Sequence, residues 1–293
     1  MLVKLISAIC LLLVTSTAIA DIIVHDDTSN EVRLASLATR IISLAPHATE
    51  LLFAAGAGER VVGVANYSDY PAAALRLPKI GTSNSLDLET IAALHPDLII
   101  AWKSGNPDAQ LEKLRQLHIP IFYSEPQKIS DIPSTIEHFG RLAGTESFSR
   151  TAATAFRNQL NKLRNNFSNR KPVSVFYQIW DHPLITINDQ HFISDAISLC
   201  GGRNIFGKLP TLTPNVSTEA VLIANPEAII TSGIGESRPD WLNEWQRWPK
   251  LQATQHKTLF FIPADYINRP SPRILKGIEQ MCTMIEQARE QQK

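Results

Sequence analysis

The chain has 293 residues, 28 of them basic and 28 acidic, so its formal net charge at neutral pH is zero. That balance excludes a nucleic-acid binder, which shows a basic excess or stripe, and with 44% hydrophobic residues it excludes a disordered chain. The length suits about two domains, each with enough chain for a core of its own.

Residues 1–20 read as an export signal and not as structure. Lys4 supplies a positive charge, Leu5 to Val14 is nearly all apolar, and Ala18-Ile19-Ala20 places small residues at a cleavage site. A membrane anchor is the alternative, but the apolar run is shorter than the roughly 20 residues a span requires. The mature chain is thus expected to begin near Asp21 and to be soluble. Cys10 leaves with the signal, and only Cys200 and Cys282 remain. In an oxidising compartment this pair favours a bridge over two buried free thiols.

A hairpin is expected over residues 21–37, from Ile22 to His25 and from Glu31 to Leu34. Short apolar runs at Ile41–Ala45, Val61–Val64, Leu98–Trp102 and Ile119–Tyr123 then read as buried parallel strands. Helical patterns at Thr49–Ala55, Leu88–Leu94 and Ala109–Leu117 separate them, which makes residues 38–145 an α/β lobe. From Phe148 to Phe167 the apolar positions 148, 152, 156, 160, 163 and 167 predict one amphipathic helix, and residues 146–170 form a strut. Residues 171–293 form a second α/β lobe, with strands at Val173–Ile179, Leu184–Ile187, Ala228–Thr231 and Thr258–Ile262. A C-terminal helix opens at Ser271-Pro272 and turns Cys282 inward.

The two lobes echo each other. Glu89 stands seven residues before Pro96, which Asp97 and an Ile-Ile pair follow; Glu219 stands seven before Pro226, which Glu227 and an Ile-Ile pair follow. Gly58 to Gly63 and Gly202 to Gly207 echo likewise, and duplication of one α/β unit about a helix is the simplest account. No nucleophile elbow, phosphate-binding loop or zinc-protease motif is present. Gly56-Ala57-Gly58 follows a helix and reads as its end, not as a dinucleotide fingerprint. Two α/β lobes without catalytic motifs describe a binding protein and not an enzyme, with its ligand between the lobes.

Specific motifs then carry a resemblance. Arg40-Ile41-Ile42-Ser43-Leu44-Ala45-Pro46-His47-Ala48-Thr49-Glu50 resembles the opening of the iron-complex/vitamin B12 periplasmic-binding family. Tyr67-Ser68-Asp69-Tyr70-Pro71 and Pro96-Asp97-Leu98-Ile99-Ile100-Ala101-Trp102 are similar to its cobalamin-binding branch, and Cys200-Gly201-Gly202 with Ser271-Pro272-Arg273 extend the match. The resemblance covers roughly residues 38–288. It implies two Rossmann-like lobes joined by a single long helix, a ligand cleft between them, and a Cys200–Cys282 bridge. It also implies a periplasmic, monomeric protein that delivers cobalamin or a related corrinoid to the permease dimer of an inner-membrane ABC importer. Haem or a ferric siderophore is the alternative ligand; a secreted hydrolase or an envelope interaction protein is the reading from another class.

The resemblance assigns pocket roles to Tyr67, Trp102, Asp265 and Arg269: aromatic faces for the apolar parts of a corrin, polar groups for its rim amides. A loop position for Tyr67, sheet-end packing for Trp102 and a surface pair for Asp265 and Arg269 remain the alternatives. Ser83, Thr213 and Ile185 stand where that branch carries aromatic residues, a loss that Trp180 is positioned to offset. Trp241, Trp245 and Trp248 fall at helical spacing and read as packing. His47, after the first strand, is the one residue suited to meeting a ligand's metal centre, against the alternative of a helix-start hydrogen bonder. Glu89 and Glu219 occupy first helical turns; the resemblance assigns them to docking on the two permease subunits, while helix stabilisation is the simpler role.

Overall fold

The computed structural model describes residues 21–167, 170–233 and 237–291, so the expected signal lies outside the described residues. The hairpin forms as expected from β1 (Ile22–His25) and β2 (Glu31–Leu34). The first lobe follows as β3 (Ile41–Ser43), α1 (Pro46–Ala54), β4 (Val61–Val64), a small hairpin of β5 (Gly81–Thr82) and β6 (Ser85–Leu86), α2 (Leu88–Ala93), β7 (Leu98–Trp102), α3 (Asp108–Gln116), β8 (Ile121–Ser124) and α4 (Ile132–Ala143). After α5 (Glu146–Phe167), the second lobe runs through β9 (Val173–Gln178), α6 (Phe192–Leu199), β10 (Gly202–Asn204), α7 (Thr218–Ala224), β11 (Ala228–Ser232), α8 (Gln252–Gln255), β12 (Leu259–Ile262), α9 (Ala264–Ile267) and α10 (Ile274–Glu290).

The lobes have one topology. The first sheet is ordered β4-β3-β7-β8 and the second β10-β9-β11-β12, all strands parallel. Numbered within each lobe, both orders read 2-1-3-4, and both switch direction beside the first strand. The central strands are buried throughout, as Leu98–Ala101 and Ala228–Ser232 show, because helices cover both faces.

The sequence echo has a structural cause. The acid after each proline clamps the start of its lobe's first strand. Asp97 accepts from the Thr39 amide, the Thr39 hydroxyl and the Arg40 amide at 2.8–2.9 Å. Glu227 accepts from the Ser174 amide and hydroxyl at 2.5 and 2.9 Å. Before each proline the chain turns through a left-handed residue, His95 at φ 44° and Asn225 at φ 45°.

Two strand expectations need correction. Leu184–Ile187 is no strand: Ile185 makes only single bridges, to Trp180 and Asn215. The second lobe's remaining strand is β10, whose Gly-Arg-Asn composition hides it because it pairs only on its β9 side. In α5 the expected stripe holds at Phe156, Leu160 and Leu163, but Phe148 is 72% exposed and Ser149 and Ala153 are buried instead. Gly140 of α4 explains this: a Cβ there would collide with Ser149, so the helices approach too closely for a large side chain.

One apolar cluster runs from Val24 through Leu98 and Phe122, across Phe156, Leu160 and Leu163 of α5, to Val175, Ile230 and Ile285. The helix therefore belongs to both lobes' cores. Cys200, at the end of α6, and Cys282, in α10, are disulfide-bonded with Cα atoms 4.6 Å apart and a sequence separation of 82. On the chain-entropy model that closure contributes at most about 4–5 kcal/mol. No helix among the described residues is long and apolar enough to cross a membrane.

Candidate functional site

A cavity of about 570 Å³ lies between the lobes, walled by loops that leave the carboxyl ends of the strands in both sheets. This is the position that a 2-1-3-4 order prepares, since loops diverge where the strand order reverses.

Trp102, at the end of β7, forms the aromatic part of the first lobe's wall. Gly105 lets it lie there, because a Cβ on Gly105 would fall inside the Trp102 ring. Asn106 fixes the loop: its Oδ1 accepts from the Trp102 amide at 2.7 Å, and its Nδ2 donates to Leu44 O at 3.2 Å and Ser83 O at 2.7 Å. One buried amide thus ties together three cavity-forming loops. Glu125 completes this wall by accepting from the Ser104 amide and hydroxyl at 2.8 and 2.9 Å.

His47 meets Trp102 edge to face, with ring centroids 5.6 Å apart. It is 4% exposed. Burial pulls its pKa down to about 4, a hydrogen bond with the Ser124 backbone opposes this, and the Arg269 charge adds to it. Its Nε2 is buried and has no hydrogen-bond partner. The imidazole is therefore neutral and stands in the cavity wall beside Trp102.

The second lobe contributes Gln190, His191, Phe192, Leu212, Thr213 and Asn268. His191 caps α6, its Nδ1 accepting from the Ile193 amide at 3.2 Å, and its ring stacks on Phe192. Burial pulls its pKa down to about 4 as well. Each lobe thus places one neutral imidazole at the cavity, at the entry to the helix after its first strand.

Arg269 lines the cavity, but its guanidinium is committed to a clasp between the lobes. It donates to Asp69 at 2.6 Å, to Glu50 at 3.1 Å and to Tyr67 O at 3.2 Å, all in the first lobe, and pairs with Asp265 at 3.1 Å. Glu50, buried in α1, also accepts from Ser271 Oγ at 2.6 Å and from Arg273 at 2.5 and 2.9 Å. Arg273 in turn lies over the Tyr70 ring at 4.4 Å. Burial alone would lower the pKa of Arg269, but its bonds to Asp69 and Glu50 and the nearby Asp265 outweigh it, and the guanidinium is held above its ordinary value. Burial raises the Asp69 carboxyl, and the Arg269 bond and charge outweigh that too, leaving it below the usual carboxylate range.

The expected site residues therefore divide. Trp102, His47 and Arg269 line the cavity, as do Ser83 and Thr213, where the aromatic wall was expected to be thinned. Tyr67 does not line it: the residue is 75% exposed in a left-handed turn and serves the clasp through its carbonyl. Asp265 pairs with Arg269 and Arg273 instead of facing the cavity. Trp180 also stands apart; it is 39% exposed, and its indole N–H donates to His182 O at 3.1 Å. Trp245 packs in a core cluster of the second lobe with Trp241 against it, whereas Trp248 is exposed. Gln127, Gln190, His191 and Asn106 escaped sequence reading, because polar loop residues of this kind have no periodicity to mark them, and Phe192 escaped with them at the first position of α6. Among the described residues no group of three or more His, Cys, Asp or Glu is placed to hold a metal ion.

Glu89 and Glu219 are both exposed and occupy equivalent places, two residues beyond the caps of α2 and α7. Asp87 caps α2 by accepting from the Thr90 amide at 3.0 Å, and Ser217 caps α7 by accepting from the Ala220 amide at 3.2 Å.

The periplasmic binding protein family model matches residues 41–266. The chain is 41% identical over 254 residues to the vitamin B12-binding protein of Vibrio cholerae serotype O1, an alignment covering 87% of this chain and 91% of that one. It is 38% identical over 249 residues to the vitamin B12-binding protein of Yersinia pestis, covering 85% and 86%. The crystal structure of the periplasmic vitamin B12 binding protein BtuF of V. cholerae superposes with a TM-score of 0.78 at 40% identity, over 86% of this chain and 98% of that one. The fold, though little of the sequence, is shared with the periplasmic heme-binding protein RhuT of Roseiflexus sp. RS-1, at a TM-score of 0.72 and 21% identity over 85% of this chain and 98% of that one.

Proposed function

We propose, on the premise that the chain belongs to the periplasmic binding protein family, that it captures cobalamin or a related corrinoid and delivers it to an inner-membrane ABC importer. The observation that carries this reading is the cavity itself. Trp102 offers a flat aromatic face, and around it stand uncharged donors and acceptors, Ser83, Gln127, Gln190, Thr213 and Asn268. A corrin needs that combination, an apolar contact for the macrocycle and neutral hydrogen-bonding groups for its rim amides. The two vitamin B12-binding relatives support the same ligand class.

Residues 1–20 supply export to the periplasm, where the mature protein is soluble and monomeric. Glu89 and Glu219, one per lobe at matching helix starts, meet matching basic groups on the two subunits of a symmetric permease. Tyr67, Asp265 and Trp180 act outside the cavity, the first two by setting Arg269 in the clasp. His47 supports Trp102 through their edge-to-face contact in the cavity wall.

Calorimetric titration of the mature protein with cobalamin, cobinamide, haem and a ferric siderophore tests the reading. A corrinoid is expected to bind, and Trp102→Ala to weaken it by about 1–3 kcal/mol, as loss of an aromatic anchor does. Binding of none of the four, or undiminished corrinoid affinity in the variant, would sink it. Haem has one observation in its favour, the unpartnered His47 Nε2. That reading requires a Soret shift on haem addition which His47→Gln abolishes.

A further inference from the structure

A second cavity, of about 610 Å³, adjoins the first and also lies between the lobes. The two share Gln127, Gln190 and His191 as a partition. Their chemistry differs: the first has Trp102, Phe192 and Leu212 in its wall, whereas the second has Lys128, Ser194, Arg203 and Asn204.

His191 stands at this shared boundary. Its Nδ1 accepts from the Ile193 amide, so the neutral ring carries its proton on Nε2 and keeps a donor of fixed tautomer at the partition. Lys128 comes from the first lobe and Arg203 from the edge strand β10, and neither has an ion-pair partner among the described residues. Two carboxylates, Asp189 and Asp195, share the same wall. Asp195 accepts from the Ile129 amide at 3.2 Å, across the lobe boundary. Asp189 packs its carboxylate over Gly207, where any Cβ would collide with it.

We propose that this second cavity receives the phosphodiester-bearing nucleotide tail of a corrinoid whose ring occupies the first, with Lys128, Arg203 and His191 Nε2–H meeting the phosphate. The proposal rests on the corrinoid reading. A macrocycle with an appended nucleotide needs two compartments of different polarity where a bare macrocycle needs one. Guanidinium and ammonium groups from opposite lobes are the usual partners of a phosphate, the first through its planar fork and the second as a point charge.

Cobalamin carries this tail and cobinamide lacks it, so the pair of ligands isolates the pocket. Calorimetry is run with both on the wild type and on Lys128→Gln/Arg203→Gln, two exposed positions whose exchange should leave the melting temperature unchanged. The double variant is expected to lose tenfold or more in cobalamin affinity, to hold cobinamide within twofold, and to lose the salt dependence that the wild type shows for cobalamin. Unchanged cobalamin affinity, or equal weakening of both ligands, overturns the proposal. A wild type that binds neither corrinoid overturns the corrinoid reading, and this proposal with it.

Discussion

The first and second lobes share a strand order, a clamp at the first strand and an acidic residue at the start of an equivalent helix, yet their ligand-facing ends are built from different materials. The first lobe presents a tryptophan fixed by Gly105 and Asn106. The second presents amides and an imidazole at the start of α6. They are also secured differently: a disulfide ties α6 to α10 in the second lobe, whereas the N-terminal hairpin packs on α4 in the first, with Asp27 accepting from Glu125 N at 2.7 Å. What repeats is the set of contacts that hold strands in register. What differs lies in loops beyond the strand ends, where a change of side chain costs the sheet nothing.

The clasp is where this comparison breaks most sharply, because the first lobe supplies its buried carboxylate and the second both guanidiniums. Glu50→Gln leaves Arg273 without its main partner and is expected to cost about 3–5 kcal/mol in urea unfolding, the usual result of orphaning a buried charge. A loss below about 1 kcal/mol would mean that the lobes are held by α5 alone.

Acid titration sets the two imidazoles against each other. His47 and His191 both have folded pKa values of about 4 against an unfolded value near 6.5, so the folded state binds these protons less tightly. Stability is then fully present above pH 6.5 and falls as the pH drops toward 4. Asp27 opposes this: burial raises its pKa to about 6, so acidification from 6 toward 4 favours the folded state. Two histidines against one carboxyl leave a net loss of about 2–3 kcal/mol between pH 7 and 4.5. His47→Gln should flatten that profile more than His191→Gln, since His47 is the more completely buried. Equal flattening would show that the lobes are equivalent here.

The clamps sharpen the likeness. Asp97→Ala and Glu227→Ala are each expected to cost about 1–2 kcal/mol, with Asp97 the greater because it accepts three bonds to residues 39 and 40 where Glu227 accepts two from Ser174. A reversed order in denaturant midpoints would show that the clamps are not equivalent. The smallest effect on the fold belongs to Glu89→Ala with Glu219→Ala. Melting temperature should move little, while association with the importer slows and loses its salt dependence in surface-binding kinetics. Unequal losses from the single variants would show that one lobe dominates docking.

Much of the scaffold was legible in the sequence because its signals are local. Apolar runs such as Leu98–Trp102 and Ala228–Thr231, the period of Phe156, Leu160 and Leu163, and the acid after each proline all announce themselves within ten residues. The clasp was not legible. Arg269 meets Glu50 and Asp69 across about two hundred residues, and nothing near Glu50 marks it as a buried acceptor. β10 was missed and Leu184–Ile187 misread for one reason: hydrophobicity reports burial, not pairing, so a polar edge strand is silent and an apolar crossing segment imitates a strand. The cavity fared in between. Trp102 and His47 follow readable strands, whereas Gln190 and His191 lie in a stretch whose only regularity is the fold around it.

The shared core through α5 bears on the thermodynamics of capture. Two lobes that hinge freely must be brought together by their ligand, and part of its binding energy goes into that ordering. Here Phe156, Leu160 and Leu163 are buried in a cluster that both lobes complete, so the angle between the cavity walls is settled as the chain folds. A ligand meets a preorganised mouth, with little conformational entropy left to lose on the protein's side. Encounter then proceeds at the rate of diffusion and orientation, and differences in affinity among related ligands fall on their rates of escape.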